Sequence, residues 1–141
     1  TTKDAFEKSC QALIKLSINN IDDLTTDPRF KDGVDRFNKA SWYIAHDIFE
    51  ELWHESNGLE RTVLQGILQI AVAQLHLEQG NINGATILYG EGLGRLKRKG
   101  IPSLGLDIEH LCKCLETRLK LLQHNKNPEI CELPFLFQIS K

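Results

Sequence analysis

Between positions 46 and 53 the chain reads His-Asp-Ile-Phe-Glu-Glu-Leu-Trp. At 100° per residue, His46, Glu50 and Trp53 fall within about 60° of arc on a helix, bordered by Trp42 and Phe49. An imidazole and a carboxylate are thereby set into an aromatic face where solvation is poor. Glu51 points about 100° away from Glu50 and reads as a surface carboxylate or a cap for a neighbouring helix. A second stretch repeats the oddity. Gln65, Gln69 and His76 lie within about 40° of one another, on a stripe shared with Leu68 and Val72. A buried amide or imidazole without a partner costs roughly 1–3 kcal/mol. The two polar stripes are therefore expected to face each other. That would give one network joining His46 and Glu50 to Gln65, Gln69 and His76, with Trp53 as its wall and Glu51 at its margin.

Three readings of such a network are open. It could be a satisfied polar core that fixes the register of two helices. It could hold a divalent metal ion, with His46 and Glu50 one turn apart and His76 completing a two-histidine, one-carboxylate face. Or it could line a small-molecule pocket, of unknown ligand, in which Glu50 acts as acid or base. Stricter patterns are absent. There is no HExxH, and Glu51-Leu52-Trp53-His54 is a single Glu-x-x-His where carboxylate di-iron bundles need two. Neither a nucleophile elbow, a phosphate loop nor a dinucleotide fingerprint occurs.

The elements that must position these residues are helical. Phe6, Cys10, Leu13 and Ile14 follow a helical spacing after Asp4, up to Asn19-Asn20. Asp27-Pro28 reads as a cap followed by proline at the first helical position, with Phe30, Val34 and Phe37 as the apolar side. Further helices are expected over about Trp42 to Glu55, Glu60 to Gln79 (stopped by a left-handed Gly80), Asn83 to Lys99 and Asp107 to Asn125. The tail has two prolines and an apolar knot of Leu133, Phe135, Leu136 and Phe137, expected to pack on the bundle or on a neighbouring subunit. Ala40, Trp42, Ala45 and Phe49 line up with Gly80, Ile82, Ala85 and Tyr89 forty positions on, a faint repeat of helical-hairpin type. No run of strand alternation competes. The expected class is all-α, a compact bundle of five to six helices built on hairpins, in one domain over residues 1–141.

Composition narrows the functional classes. The chain has 141 residues with 17 basic and 19 acidic side chains, a formal charge of −2. That balance gives no electrostatic reason to bind nucleic acid or acidic lipid. The longest uncharged run, Thr62 to Leu77, is short of the roughly 20 residues that span a bilayer, so no membrane partner is expected. The four cysteines, Cys10, Cys112, Cys114 and Cys131, match neither a CxxC pair nor a zinc ribbon. They are expected to be reduced, in a cytoplasmic protein. The basic cluster Arg95, Lys97, Arg98 and Lys99 complements a helix C-terminus. Gly84, Gly90, Gly92 and Gly94 suggest close helix approach, within the chain or across a homo-oligomer. A helical-hairpin module resembling tetratricopeptide repeats, binding a protein partner through its grooves, is the alternative to a site.

A family resemblance emerges from the combined motifs. Phe37-Asn38, His46-x-x-x-Glu50-Glu51-x-Trp53, Gln65-Gly66-x-x-Gln69-x-Ala71, His76 and Gly80-Asn81-x-x-Gly84-Ala85 together resemble domain-of-unknown-function family 309, over about Phe30 to Arg118. The stretches GILQIAVAQLHL and ILYGEGLGRL look most like its cyanobacterial branch. The resemblance implies a small all-α bundle of unassigned activity whose HxxxExxW signature has been suggested to bind metal. Here that signature falls on His46, Glu50 and Trp53. Asp47 stands where many relatives have glutamate. The segment over residues 1–20 and the extension over 126–141 lie outside the resemblance.

Overall fold

The computed structural model describes residues 24–139. The amphipathic segment around Phe6 and Cys10 therefore lies outside the described residues. From Pro28 onward the helices follow the sequence pattern closely. Helix α1 spans Pro28–Asn38, and the Asp27 carboxylate caps it by accepting from the Arg29 amide at 2.9 Å. Helix α2 is Trp42–Glu55 and α3 is Gly58–Glu78. Helix α4 is Ile82–Leu96, and α5 is Ile108–Gln123, capped by the Asp107 side chain. A 3-10 turn at Pro128–Ile130 leads into an extended strap. Among the described residues the only strand-like pairing is an isolated bridge between Leu106 and Gln138. The architecture is all-α.

Each helix packs on its neighbours in the chain, and α3 lies between α2 and α4. The reason is visible in α3. It buries Val63, Leu64, Ile67, Ile70, Ala71 and Ala73, more than one apolar stripe, so it needs partners on two sides. The forty-residue repeat is real in three dimensions. Ala40 and Gly80 both turn in the left-handed region, with φ of 60° and 78°. Ala45 and Ala85, and likewise Phe49 and Tyr89, are fully buried. The copies diverge at one pair, since Trp42 is buried and Ile82 is exposed.

Three helix ends differ from the sequence reading by two residues or more, α5 closing at Gln123 rather than Asn125. Helix α3 begins at Gly58, with φ of +64° just before the helix rises, rather than at Glu60. Helix α4 stops at Leu96, not Lys99. Past that point Lys97 reaches across to Glu116 of α5 at 2.7 Å, and Gly100 takes φ of 81°. The basic cluster thus ties two helices together as well as finishing one.

The tail is ordered over the described residues by Leu136, which is buried while its neighbours are exposed. The Asn38 side chain grips its backbone at both ends, donating to the Leu136 carbonyl at 3.0 Å and accepting from its amide at 2.7 Å. On the other edge Asp107 N–H donates to the Phe137 carbonyl and Ile139 N–H to that of Gly105, both at 2.8 Å. The strap is so held between α1 and the start of α5.

Candidate functional site

The signature residues lie along α2 because α2 buries Trp42, Ala45, Phe49 and Leu52 against its neighbours. That leaves His46, Glu50 and Trp53 at the margin of the core, half-buried. His46 Nε2 is 2.9 Å from Glu50 Oε2, one turn on, and its Nδ1 is 3.3 Å from Asp47 Oδ1. The second carboxylate oxygen of Glu50 is 3.6 Å from His54 Nε2. A carboxylate therefore stands between two imidazoles. Beyond His54 the row continues through its edge-on contact with the Trp53 ring, 4.9 Å between centroids. The Arg61 guanidinium stacks on that indole at 3.9 Å. Trp53 Nε1 and Arg61 Nε are both buried and have no hydrogen-bond acceptor among the described residues.

The other expected members turn elsewhere. Gln69 faces α4, donating to Glu91 at 3.0 Å and accepting from Arg95 at 3.1 Å. His76 Nδ1 is 3.1 Å from the amide nitrogen of Asn81, the residue that caps α4. Gln65 is half-buried. Glu51 is exposed and pairs with Arg29 of α1 at 2.8 Å, where Glu55 and Asp27 join it. The structure joins His46 to Glu50 and Glu50 to His54, sets Trp53 against His54, and hands Gln69 and His76 to the α3–α4 pair. A single ring of polar groups around one spot is not what these bonds make.

Sequence reasoning passed over the most deeply buried polar side chain among the described residues. Arg118 of α5 is completely buried. Its Nε donates to the Tyr89 hydroxyl at 2.8 Å. Nη1 donates to the carbonyls of Pro128 and Glu132, at 3.2 and 3.0 Å. Nη2 donates to Gln74 Oε1 at 3.1 Å and to Glu129 Oε1 at 2.8 Å. All five N–H donors of the guanidinium are thereby used inside the protein. Tyr89 in turn donates to Gln74, and burial pushes its hydroxyl well above the usual tyrosine range, so it stays a donor. A guanidinium with no donor to spare is a strut. It clamps the 128–132 turn to α3, α4 and α5.

Signals for this group were present. Gln74 lies within about 20° of Ile67 on α3, on the core stripe itself, whereas Gln65 and Gln69 lie off it. Arg118 interrupts Leu111, Leu115 and Leu122, all buried, at helical spacing.

The side chains that the signature would offer to a metal make bonds within the protein. His46 and Glu50 are bonded to each other, and His76 bonds Asn81. Among the described residues no three His, Cys, Asp or Glu side chains form a group that could hold a metal ion. No helix among them is long and apolar enough to cross a membrane.

Residues 30–88 match the family model described as Domain of unknown function (DUF309). The match covers α1, α2, α3 and the first half of α4, with His46, Glu50, Trp53, Gln65, Gln69 and His76 inside it. It stops short of Arg118, where the resemblance in sequence had been expected to end. No curated protein matches the chain.

Proposed function

We propose that the chain is a protein-interaction module whose contact surface is the outer face of the C-terminal strap, and that its partner is a second copy of itself. The carrying observation is an alternation. Pro134 and Leu136 point inward and are buried, while Leu133, Phe135, Phe137 and Ile139 point outward and are 37–53% exposed. Phe135 and Phe137 lie against each other, with ring centroids 4.4 Å apart. The ring of His110 meets Phe137 edge-on at 4.9 Å. A contiguous apolar row of this kind is a common mark of an interaction surface. An uncharged row of aromatic and aliphatic side chains is complementary to itself, which favours a two-fold pairing. Sedimentation equilibrium tests the reading. The parent chain is expected to be a dimer, and Phe135→Ser/Phe137→Ser a monomer with unchanged helicity. A parent that stays monomeric at high micromolar concentration overturns it.

A second reading rests on a different observation, the two buried N–H donors of Trp53 and Arg61 that have no acceptor beside the His46–Glu50–His54 row. Unsatisfied buried donors are rare in folded proteins. Here they would take an acceptor oxygen of a small polar molecule. The indole N–H resonance of Trp53 reports on it directly. Titration with small carboxylates and phosphates is expected to shift that resonance downfield, and the shift is expected to vanish in Arg61→Leu. A resonance unmoved by every such compound sinks this reading and leaves the strap surface untouched.

A further inference from the structure

We propose that Cys114 and Cys131 form a reversible disulfide that staples the C-terminal turn to α5. Both are free thiols, each partly buried. Cys114 sits one turn before Arg118 on α5, so its side chain leaves the helix on the same side. The clamp made by Arg118 draws the 128–132 turn over that side. As a result both sulfurs approach one atom, the Glu132 carbonyl oxygen, from 3.5 Å for Cys114 and 3.8 Å for Cys131. Cys131 Sγ also lies 3.1 Å from the Pro128 carbonyl and 4.0 Å from Arg118 Nη1. Two thiols that converge on a shared acceptor are held near each other before any oxidant arrives. Little chain entropy then remains to be lost when they join. Cys112, two positions from Cys114, leaves the helix about 200° away and takes no part.

The oxidant is a low-molecular-weight disulfide such as glutathione disulfide. The Cys131 thiolate attacks one of its sulfurs and releases one glutathione thiolate. Cys114 then loses its proton to solvent and attacks the Cys131 sulfur, expelling the second glutathione. One S–S bond breaks and one forms at each step. In sum two protein thiols are oxidised and one glutathione disulfide is reduced to two thiols. The order follows from burial, which pushes the Cys114 thiol up to about 11 and makes it the slower nucleophile. The staple closes over the turn that feeds the strap, so the oxidised chain holds Leu133 to Ile139 more firmly on α1 and α5.

The full chain carrying Cys10→Ser and Cys112→Ser, equilibrated with millimolar glutathione disulfide, provides the test. Intact mass is expected to fall by two hydrogens, and proteolysis without reductant is expected to yield one peptide pair linking Cys114 to Cys131. Dithiothreitol is expected to reverse both changes, and the oxidised form is expected to unfold at a temperature several degrees higher. Cys114→Ser in the same background is expected to stop at a persistent glutathione adduct on Cys131. Free thiols, or separate adducts on both cysteines of the unsubstituted pair, overturn the proposal.

Discussion

Gly66 of α3 and Gly92 of α4 meet backbone to backbone. A Cβ added to Gly92 would come within 3.0 Å of the Gly66 carbonyl oxygen and 2.8 Å of Ile70 Cδ1. One added to Gly66 would come within 3.2 Å of the Gly92 oxygen and 2.8 Å of Leu96 Cγ. The contact between these helices depends on two side chains being absent.

That contact separates the glycines of α4 into two kinds. Gly92→Ala is expected to destabilise by about 1–3 kcal/mol, because the opposing atom is backbone and the helices must move apart. Gly90→Ala and Gly94→Ala meet open space and are expected to stabilise by up to ~1 kcal/mol through helix propensity. Urea unfolding of the three variants gives opposite signs on one helix if the packing is as described.

Arg118 is the second point of dependence. Arg118→Met removes five donors, so the Pro128 and Glu132 carbonyls, Gln74 and the Tyr89 oxygen each lose one bond while the half-exposed Glu129 returns to water, a loss of about 1–3 kcal/mol. Tyr89→Phe leaves the guanidinium Nε unsatisfied and is expected to lose about 1–3 kcal/mol. Limited proteolysis distinguishes a clamp from general destabilisation. Cleavage in Arg118→Met is expected first between Gln123 and Glu132, before the helices are cut.

The start of α1 carries a pH dependence. Its hydrogen bonds with Arg29 hold the Asp27 carboxyl below the usual 3.8, and Glu55 is likewise lowered by Arg29. Carboxyls lowered in the folded state contribute stability above their unfolded values, and that contribution is lost as pH falls through the folded values. Stability is thus expected to decline from about pH 5 downward. Asp27→Ala is expected to lose about 1 kcal/mol of capping at neutral pH and to make the acid-side decline shallower. Unfolding midpoints at a series of pH values measure both effects.

The signature carboxylate should matter less to folding than the buried strut. Glu50→Gln keeps the size of the side chain and alters a half-exposed pair, so its effect on stability is expected to stay below ~1 kcal/mol. Gln74→Leu, which leaves the Arg118 Nη2 and Tyr89 donors without their shared oxygen, is expected to exceed it on the same unfolding assay.

These contrasts show where local pattern is informative. Asp27-Pro28, Asp107 and Gly80 act locally, through their own turn of chain, and each forms the cap or stop that its residue type implies. The alignment of Ala40 with Gly80 and of Phe49 with Tyr89 is likewise local, since a hairpin repeats its own steric needs. The polar stripes were read correctly as partly buried and wrongly as sharing one partner. Gln69 is separated in sequence from His46 and Glu50 by about as much as from Glu91 and Arg95, and periodicity assigns a residue to a face without saying which helix covers it.

By itself, then, the order of residues determined that the chain is helical, where its helices start and stop within a few positions, and that His46, Glu50 and Trp53 share one side of a turn. Hydrogen bonds from one residue to the next turn, and the steric limits of proline and glycine, suffice for that. Only the tertiary structure decided that α3 would be enclosed on two sides, that Arg118 would reach Gln74 and Tyr89 across three helices, and that two cysteines would meet at Glu132. Those outcomes depend on which faces bury together. That choice is made by the whole core at once, because burial is non-directional and any apolar stripe can cover any other until volumes and close approaches such as Gly66 on Gly92 exclude the alternatives.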